Sequence, residues 1–166
     1  MNSLKKREIE EFNDLIKKIQ EEVDQEELSI FSKKVIEEFR HPKNWGKIND
    51  ANAQSVITGP CGDTVSIFLK IENNIITKSS FLTDGCGPTV ACGSKLTTLI
   101  KNKSINEIEK ITSEEILEAL DGLPPENQHC ALLVVNTFHK ALDDFKNGLK
   151  VNEFMLNSKK YPELEK

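Results

Sequence analysis

Three cysteines of this 166-residue chain lie in local settings where a thiol is available for chemistry. Cys61 lies in "TGPCGDT", between a Gly-Pro pair and a glycine, with Asp63 two residues on; Cys86 lies in "TDGCGPT", between Gly85 and Gly87. Cys130 follows His129 in "LPPENQHCALL". Thiolates with an imidazole select zinc, copper(I) or iron bound with sulfide, whereas a magnesium or calcium site would be rich in oxygen ligands. With 24 residues between the first two cysteines and 43 between the second and third, this is no local zinc ribbon of paired Cys-x-x-Cys knuckles. Only tertiary folding can build the site. The glycines beside Cys61 and Cys86 let the backbone bend tightly and leave room for a guest larger than one ion. Asp63 is the odd member: a carboxylate is a weaker partner for iron than thiolate, so a site containing it holds its metal loosely and suits handing it on.

The elements that position these residues follow from the hydrophobic periods. "DTVSIFLKIE" alternates Val65, Ile67, Leu69 and Ile71 on one face, "NN" supplies a turn and "IITKSSFLT" continues in β-favouring residues, which predicts a hairpin with "SVIT" as an edge strand. Cys61 precedes the first hairpin strand and Cys86 follows the second, so the hairpin returns both thiols to one end of the sheet. His129 and Cys130 fall in the first turn of a helix that starts at Pro125, carries Leu132, Val135, Phe138, Ala141, Leu142 and Phe145 inward, and closes at Gly148. Unpaired N–H groups and the helix dipole at that end favour a thiolate on Cys130. Residues 88–101 are expected to be helical with Val90, Leu96, Leu99 and Ile100 inward. Two short helices should follow, begun by Ser104 with Glu107 and by Thr112 with Glu115. Upstream, Phe12, Leu15, Ile16, Ile19 and Val23 mark an amphipathic helix over 4–24. A second helix is expected over 30–40, with Phe31, Val35, Ile36 and Phe39 on one side, stopped by Pro42. The chain thus divides into a helical extension (1–28), a domain (29–148) and a tail (149–166).

Composition narrows the function classes. A hydrophobic content of 37% supports one core, and a net charge of −5 argues against a broad phosphate-binding surface, so no nucleic-acid partner is expected. No apolar run approaches the roughly 20 residues that span a bilayer, and "MNSLKKREIEEF" lacks a signal-peptide core, so the expected location is cytoplasmic, without membrane. Cytosolic thiols are kept reduced, which favours metal or sulfur chemistry over disulfides.

"GPCGD", "DGCGPTVACGS" and "LPPENQHCALL" resemble the three motifs of the NifU N-terminal/IscU-like iron-sulfur cluster assembly scaffolds, and "FSKKVIEEFRHPKNWGKI" resembles the family's leading helix and loop. The resemblance covers about residues 30–148. It implies an α+β fold, a three-stranded antiparallel sheet with helices on one face, here with an extra N-terminal amphipathic helix. It also implies a scaffold that takes sulfur from a cysteine desulfurase, receives iron, builds a transient [2Fe-2S] cluster and passes it to apo-proteins. Cys61, Cys86 and Cys130 are then ligands and sulfur acceptors, Asp63 the aspartate that keeps the cluster labile, and His129 the alternative fourth ligand. The alternative is a zinc-bound sulfur acceptor that activates the desulfurase and builds no cluster. Where relatives served by a dedicated Hsp70-type chaperone carry Leu-Pro-Pro-Val-Lys, this chain has "LPPEN", with Glu126 and Asn127, which argues against that partnership.

Plainer roles compete at several positions. Cys92 repeats with Leu96 and Leu99 and fits core packing, His41 and His139 fit structural or solvated roles, and Asp63 also fits a turn residue bonding local N–H groups. The stripe on the first helix is a packing surface or a face for homo-oligomer formation. With no nucleophile-base pair in view, the chain is expected to be a platform and not an enzyme.

Overall fold

The alternating residues of "TVSIFLKIE" form the central strand β2 (Thr64–Glu72), flanked by β1 (Ala53–Thr58) and β3 (Ile75–Thr83) in an antiparallel sheet of order β1-β2-β3. The structure, a computed structural model, describes residues 3–149. Asn73 and Asn74 both take left-handed φ, 51° and 64°, which is the twist a two-residue hairpin turn demands. Around the sheet run helices α1 (Ser3–Ile30), α2 (Lys33–Arg40), α3 (Gly87–Ile100), α4 (Ile105–Ile108), α5 (Ser113–Ala119) and α6 (Gln128–Lys146). The fold is the α+β arrangement expected, with α6 packed across β1 and β2 and α3 across β3. Val65, Ile67 and Leu69 from β2 and Phe81 from β3 meet Leu96, Val134 and Phe138 in one buried core.

The opposite sheet face is crossed by the chain itself. Gly46 N donates to Phe81 O (3.0 Å) at the free edge of β3, Asp50 pairs with Lys78 (3.1 Å), and Asn52 N donates to Leu69 O (3.0 Å) on the β1 side. This segment is a bare loop by sequence; Phe68 and Leu82, on the same sheet face as Lys78, are buried. Trp45 anchors its start edge-on against Phe81, with ring centroids 5.1 Å apart.

Several boundaries differ from expectation for definite reasons. α1 runs six residues past 24 and ends where Phe31 N bonds Glu27 O (2.8 Å); α2 starts at Lys33, not at 30, because Ser32 caps it, accepting from Val35 N (3.1 Å) and donating to Leu120 O (2.5 Å). Pro125 opens a 3-10 turn (Pro125–Asn127), and α6 begins only at Gln128. Leu99 and Leu132, expected inward, are 38% and 50% exposed. Leu132 shares its face with exposed Asn136, Lys140 and Asp143, while Leu133, Val134 and Val135 turn in. In the unbroken apolar run "CALLVV" periodicity cannot identify the one residue that faces out. The capping boxes stand: Glu107 accepts from Ser104 N (2.9 Å) and Glu115 from Thr112 N (2.8 Å). Gly148 takes φ +70° after α6, and the expected tail lies outside the described residues from 150 on. No helix among the described residues is long and apolar enough to cross a membrane.

Candidate metal and sulfur site

The open end of the hairpin is fixed before the loops leave it. Thr83 Oγ1 donates to Thr64 O (2.8 Å), and Asp84 Oδ1 accepts from Thr64 N (2.7 Å). From this base the chain makes a tight turn before β2, closed by Gly59 N to Asp63 O (2.8 Å) and Gly62 N to Gly59 O (3.0 Å), with Gly62 at φ +91°. The turn carries exposed Cys61 at its tip and delivers Asp63, half-buried, toward the loop that follows β3. It rests on α6: a Cβ at Gly59 would lie 3.1 Å from the Leu133 side chain, one helical turn past Cys130.

Asp63 is held by neutral donors. Its Oδ2 accepts from Thr89 Oγ1 (2.7 Å) and from Cys86 N (3.3 Å), so the turn-residue role and a ligand role coexist in one side chain. No ion pair among the described residues includes it. Gly85 is glycine for this carboxylate, since a Cβ there would lie 2.5 Å from Asp63 Oδ2. The room expected for a guest beside Cys86 is, at Gly85, taken by Asp63.

Cys86 is the N-cap residue of α3, and Cys130 is the third residue of α6, so the two helices bring their N-terminal ends, with their partial positive charge, to one place. One carboxylate oxygen of Asp63 and the sulfurs of Cys86 and Cys130 all lie within 4.8 Å of one another. Cys86 is exposed and Cys130 is fully buried. The expectation of an easily formed thiolate at Cys130 fails: burial pushes the thiol up from 9.0 to about 12, the Thr89 hydroxyl partly offsets this, and negative charge at Cys86 and Asp63 adds to the rise. The free thiol is a proton holder that a thiophilic metal must displace.

Cys61 and His129 lie outside that 4.8 Å set, one at the turn tip and the other exposed beside Cys130, its Nε2 3.7 Å from the Cys130 sulfur. Cys92 is fully buried behind the site, where desolvation drives its thiol far above the ordinary range. His41 is exposed beside α1 and α2, and His139 is half-buried on α6. The residue that sequence reasoning overlooked is Thr89. Fully buried, it bonds Asp63 and lies 3.5 Å from the Cys86 sulfur, and its one sequence signal is a place three residues beyond Cys86 in the first helical turn.

Two thiols and a carboxylate in one cluster, with a further thiol and an imidazole at its rim, offer soft and exchangeable coordination together. Residues 30–151 match the family model described as the NifU-like N terminal domain. An iron-sulfur cluster assembly scaffold protein, IscU 1 of Archaeoglobus fulgidus, is 38% identical over 142 residues, covering 82% of this chain and 90% of that protein. The IscU scaffold protein of Buchnera aphidicola subsp. Baizongia pistaciae is 41% identical over 125 residues, covering 72% and 98%. Among solved structures, a nitrogen-fixing NifU-like protein (N-terminal) from Brucella abortus aligns with TM-score 0.58 at 15% identity, covering 70% of this chain and 94% of that one. A putative iron-sulfur cluster assembly scaffold protein for the SUF system from Fervidobacterium islandicum aligns with TM-score 0.58 at 22% identity, covering 69% and 97%. At such identities the two structures speak to the fold alone.

Proposed function

This chain belongs to the NifU-like N-terminal domain family, and from that premise we propose that it is an iron-sulfur cluster assembly scaffold, a platform that holds a cluster as cargo and catalyses no reaction of its own. The observation that carries the reading is the convergence of Asp63, Cys86 and Cys130 within 4.8 Å, from a turn and two helix ends far apart in the chain. Sulfur comes from a cysteine desulfurase. An exposed thiolate, Cys61 or Cys86, attacks the outer sulfur of the donor's persulfide; a new S–S bond forms, the donor's S–S bond breaks, and the donor leaves as thiolate. Two electrons from a separate reductant convert the transferred sulfur to sulfide, which joins iron in a labile [2Fe-2S] cluster. Cys61, Cys86 and Cys130 hold that cargo, with Asp63 or His129 completing the coordination, until an apo-protein takes it. Asp63 keeps the hold weak because its oxygen is a poorer iron ligand than sulfur and is already shared with Thr89 and the Cys86 amide.

Anaerobic incubation with ferrous iron, cysteine and a cysteine desulfurase tests this. The protein should develop [2Fe-2S] absorption and lose it to an apo-ferredoxin, and Asp63→Ala should lose it several-fold more slowly. Absence of a chromophore under these conditions would refute the scaffold reading; equal transfer rates would remove the role of Asp63. The close ligand spacing also suits a single zinc ion. In that second reading, zinc survives purification and desulfurase turnover rises without any iron being bound.

A further inference from the structure

Thr89 has one hydroxyl proton to give and two acceptors in reach. Fully buried, its Oγ1 lies 2.7 Å from Asp63 Oδ2 and 3.5 Å from the Cys86 sulfur. Donation to the carboxylate uses the proton, so across the second contact the Cys86 S–H donates to Thr89 Oγ1. The metal-free site thus holds a chain of two hydrogen bonds running from sulfur through hydroxyl to carboxylate. α3 gives the sulfur no substitute. Cys86 is its N-cap residue yet makes no side-chain cap bond, and Pro88, in the second helical position, has no N–H to offer. Thr89, in the third, presents its hydroxyl instead. The threonine is also wedged in place: a Cβ at Gly85 would lie 3.0 Å from Thr89 Cβ and 2.5 Å from Asp63 Oδ2.

Metal binding reverses the requirement at the sulfur end of that chain. A coordinating thiol gives up its proton, so Cys86 can then only accept. A hydroxyl still turned to Asp63 would set its oxygen lone pairs against the charge on sulfur. Rotating the O–H about the Cβ–Oγ1 bond removes the clash without moving a heavy atom of the threonine. We propose that Thr89 is a positioning residue whose hydroxyl donates to Asp63 in the empty site and to the Cys86 sulfur in the loaded one. One rotation then does two things. It withdraws a donor from Asp63 Oδ2, leaving that oxygen with the Cys86 N–H (3.3 Å) and open to a metal, and it places a hydrogen bond on the new thiolate. Hydrogen bonds to ligand sulfur tune how firmly a metal or cluster is held. Valine can do neither, whereas serine can do both. The inference rests on the reading of Asp63, Cys86 and Cys130 as a metal site, and not on the scaffold role.

Cobalt(II), a coloured stand-in for zinc or ferrous iron, is the probe, added anaerobically to the full chain as wild type, Thr89→Val, Thr89→Ser, Asp63→Ala and the Thr89→Val/Asp63→Ala pair. A hydrogen bond to thiolate stabilises the sulfur lone pair, so its loss lowers the energy of sulfur-to-cobalt charge transfer. The band should move to longer wavelength in Thr89→Val, return in Thr89→Ser, and move again when Thr89→Val is added to Asp63→Ala. Melting of the metal-free proteins reads the other state. Thr89→Val should lower the melting temperature by about 3 °C in the wild-type background, and by less than half of that beside Asp63→Ala, where the acceptor is already gone. A band unmoved by Thr89→Val would overturn the proposal, since the hydroxyl would then have stayed on Asp63. Equal losses of melting temperature in both backgrounds would overturn it too. A wild-type protein without any charge-transfer band would refute the thiolate site and the switch with it. Failure to assemble a cluster, alongside the full set of band shifts, would sink the scaffold reading and support the switch.

Discussion

Two carboxylates stand against α3 in different company. Glu38, from α2, is 2% exposed and is gripped by Lys95 Nζ at 2.6 Å, by the Ser94 hydroxyl and by Lys43 Nζ at 3.4 Å. Asp63, from the turn before β2, has, among the described residues, the Thr89 hydroxyl and the Cys86 amide as hydrogen-bond partners, and thiols are its reactive neighbours. The first charge is neutralised by fixed ammonium groups and ties α2 to α3. The second lies among neutral donors and thiols, with no ion pair among the described residues, and so remains able to take a metal ion. A carboxylate satisfied by lysines builds structure, and one satisfied by neutral donors beside sulfur is available for metal.

The largest effect should come from unbalancing the satisfied region. Lys95→Met strands a buried carboxylate and is expected to cost about 3 kcal/mol of unfolding free energy in denaturant titration. Asp63→Ala should cost only about 1–2 kcal/mol; if the two variants cost the same, the contrast between the regions is wrong.

Next comes the ligand region itself. Cys130→Ser should lower zinc or ferrous iron affinity by roughly 100- to 1,000-fold in a chelator competition, about one ligand's share of a thiolate-rich site. Retention of wild-type affinity would remove Cys130 from the coordination.

The two regions should also weaken at opposite ends of the pH scale. Burial alone would raise the Glu38 carboxyl, but hydrogen bonds from Lys95 and Ser94 and the charges of Lys95 and Lys43 hold it below its ordinary value. The unfolded chain therefore takes up the proton first on acidification, and stability falls as pH drops from the ordinary carboxylate range through the lowered one. Glu38→Gln should flatten that slope. The Cys130 thiol is raised from 9.0 to about 12 by burial, so the unfolded chain loses its proton first and stability falls as pH rises across that interval. Cys130→Ser should reduce the alkaline slope, leaving the part that buried Cys92 contributes, and leave the acid one intact. Thermal melts over both ranges check the crossed pattern.

The smallest expected effect is at Thr89. Thr89→Val keeps the shape but removes the donor to Asp63, which should weaken metal binding about tenfold and stability by about 1 kcal/mol. A change in stability alone would make Thr89 merely structural.

Local chemistry made much of this legible in advance. The double-asparagine turn, the alternation of β2 and the two capping boxes each need only neighbours in sequence, and all formed as their residues require. The hairpin alone put the Cys61 and Cys86 loops at one end. Roles that depend on distant partners were hidden. Glu38 looks like one more surface charge of "KKVIEEFR" until Lys95 and Ser94 fold over it, and Gly85 looks like a hinge until Asp63 fills the space beside it. Segment 46–52 has no period of its own, because its course across the sheet is set by Phe81, Leu69 and Lys78.

By itself the sequence determined which atoms are offered: three glycine- or histidine-flanked thiols, a nearby carboxylate, and strands and helices of definite period to carry them. Tertiary structure decided how those atoms behave. Burial turned Cys130 from an expected thiolate into a proton holder, packing brought Asp63, Cys86 and Cys130 within 4.8 Å while leaving Cys61 at the rim, and Thr89 became the link between carboxylate and sulfur. Residue type and spacing fix local geometry and ligand chemistry, but solvation and separation depend on which distant surfaces close over a group, and that is settled only when the whole core forms.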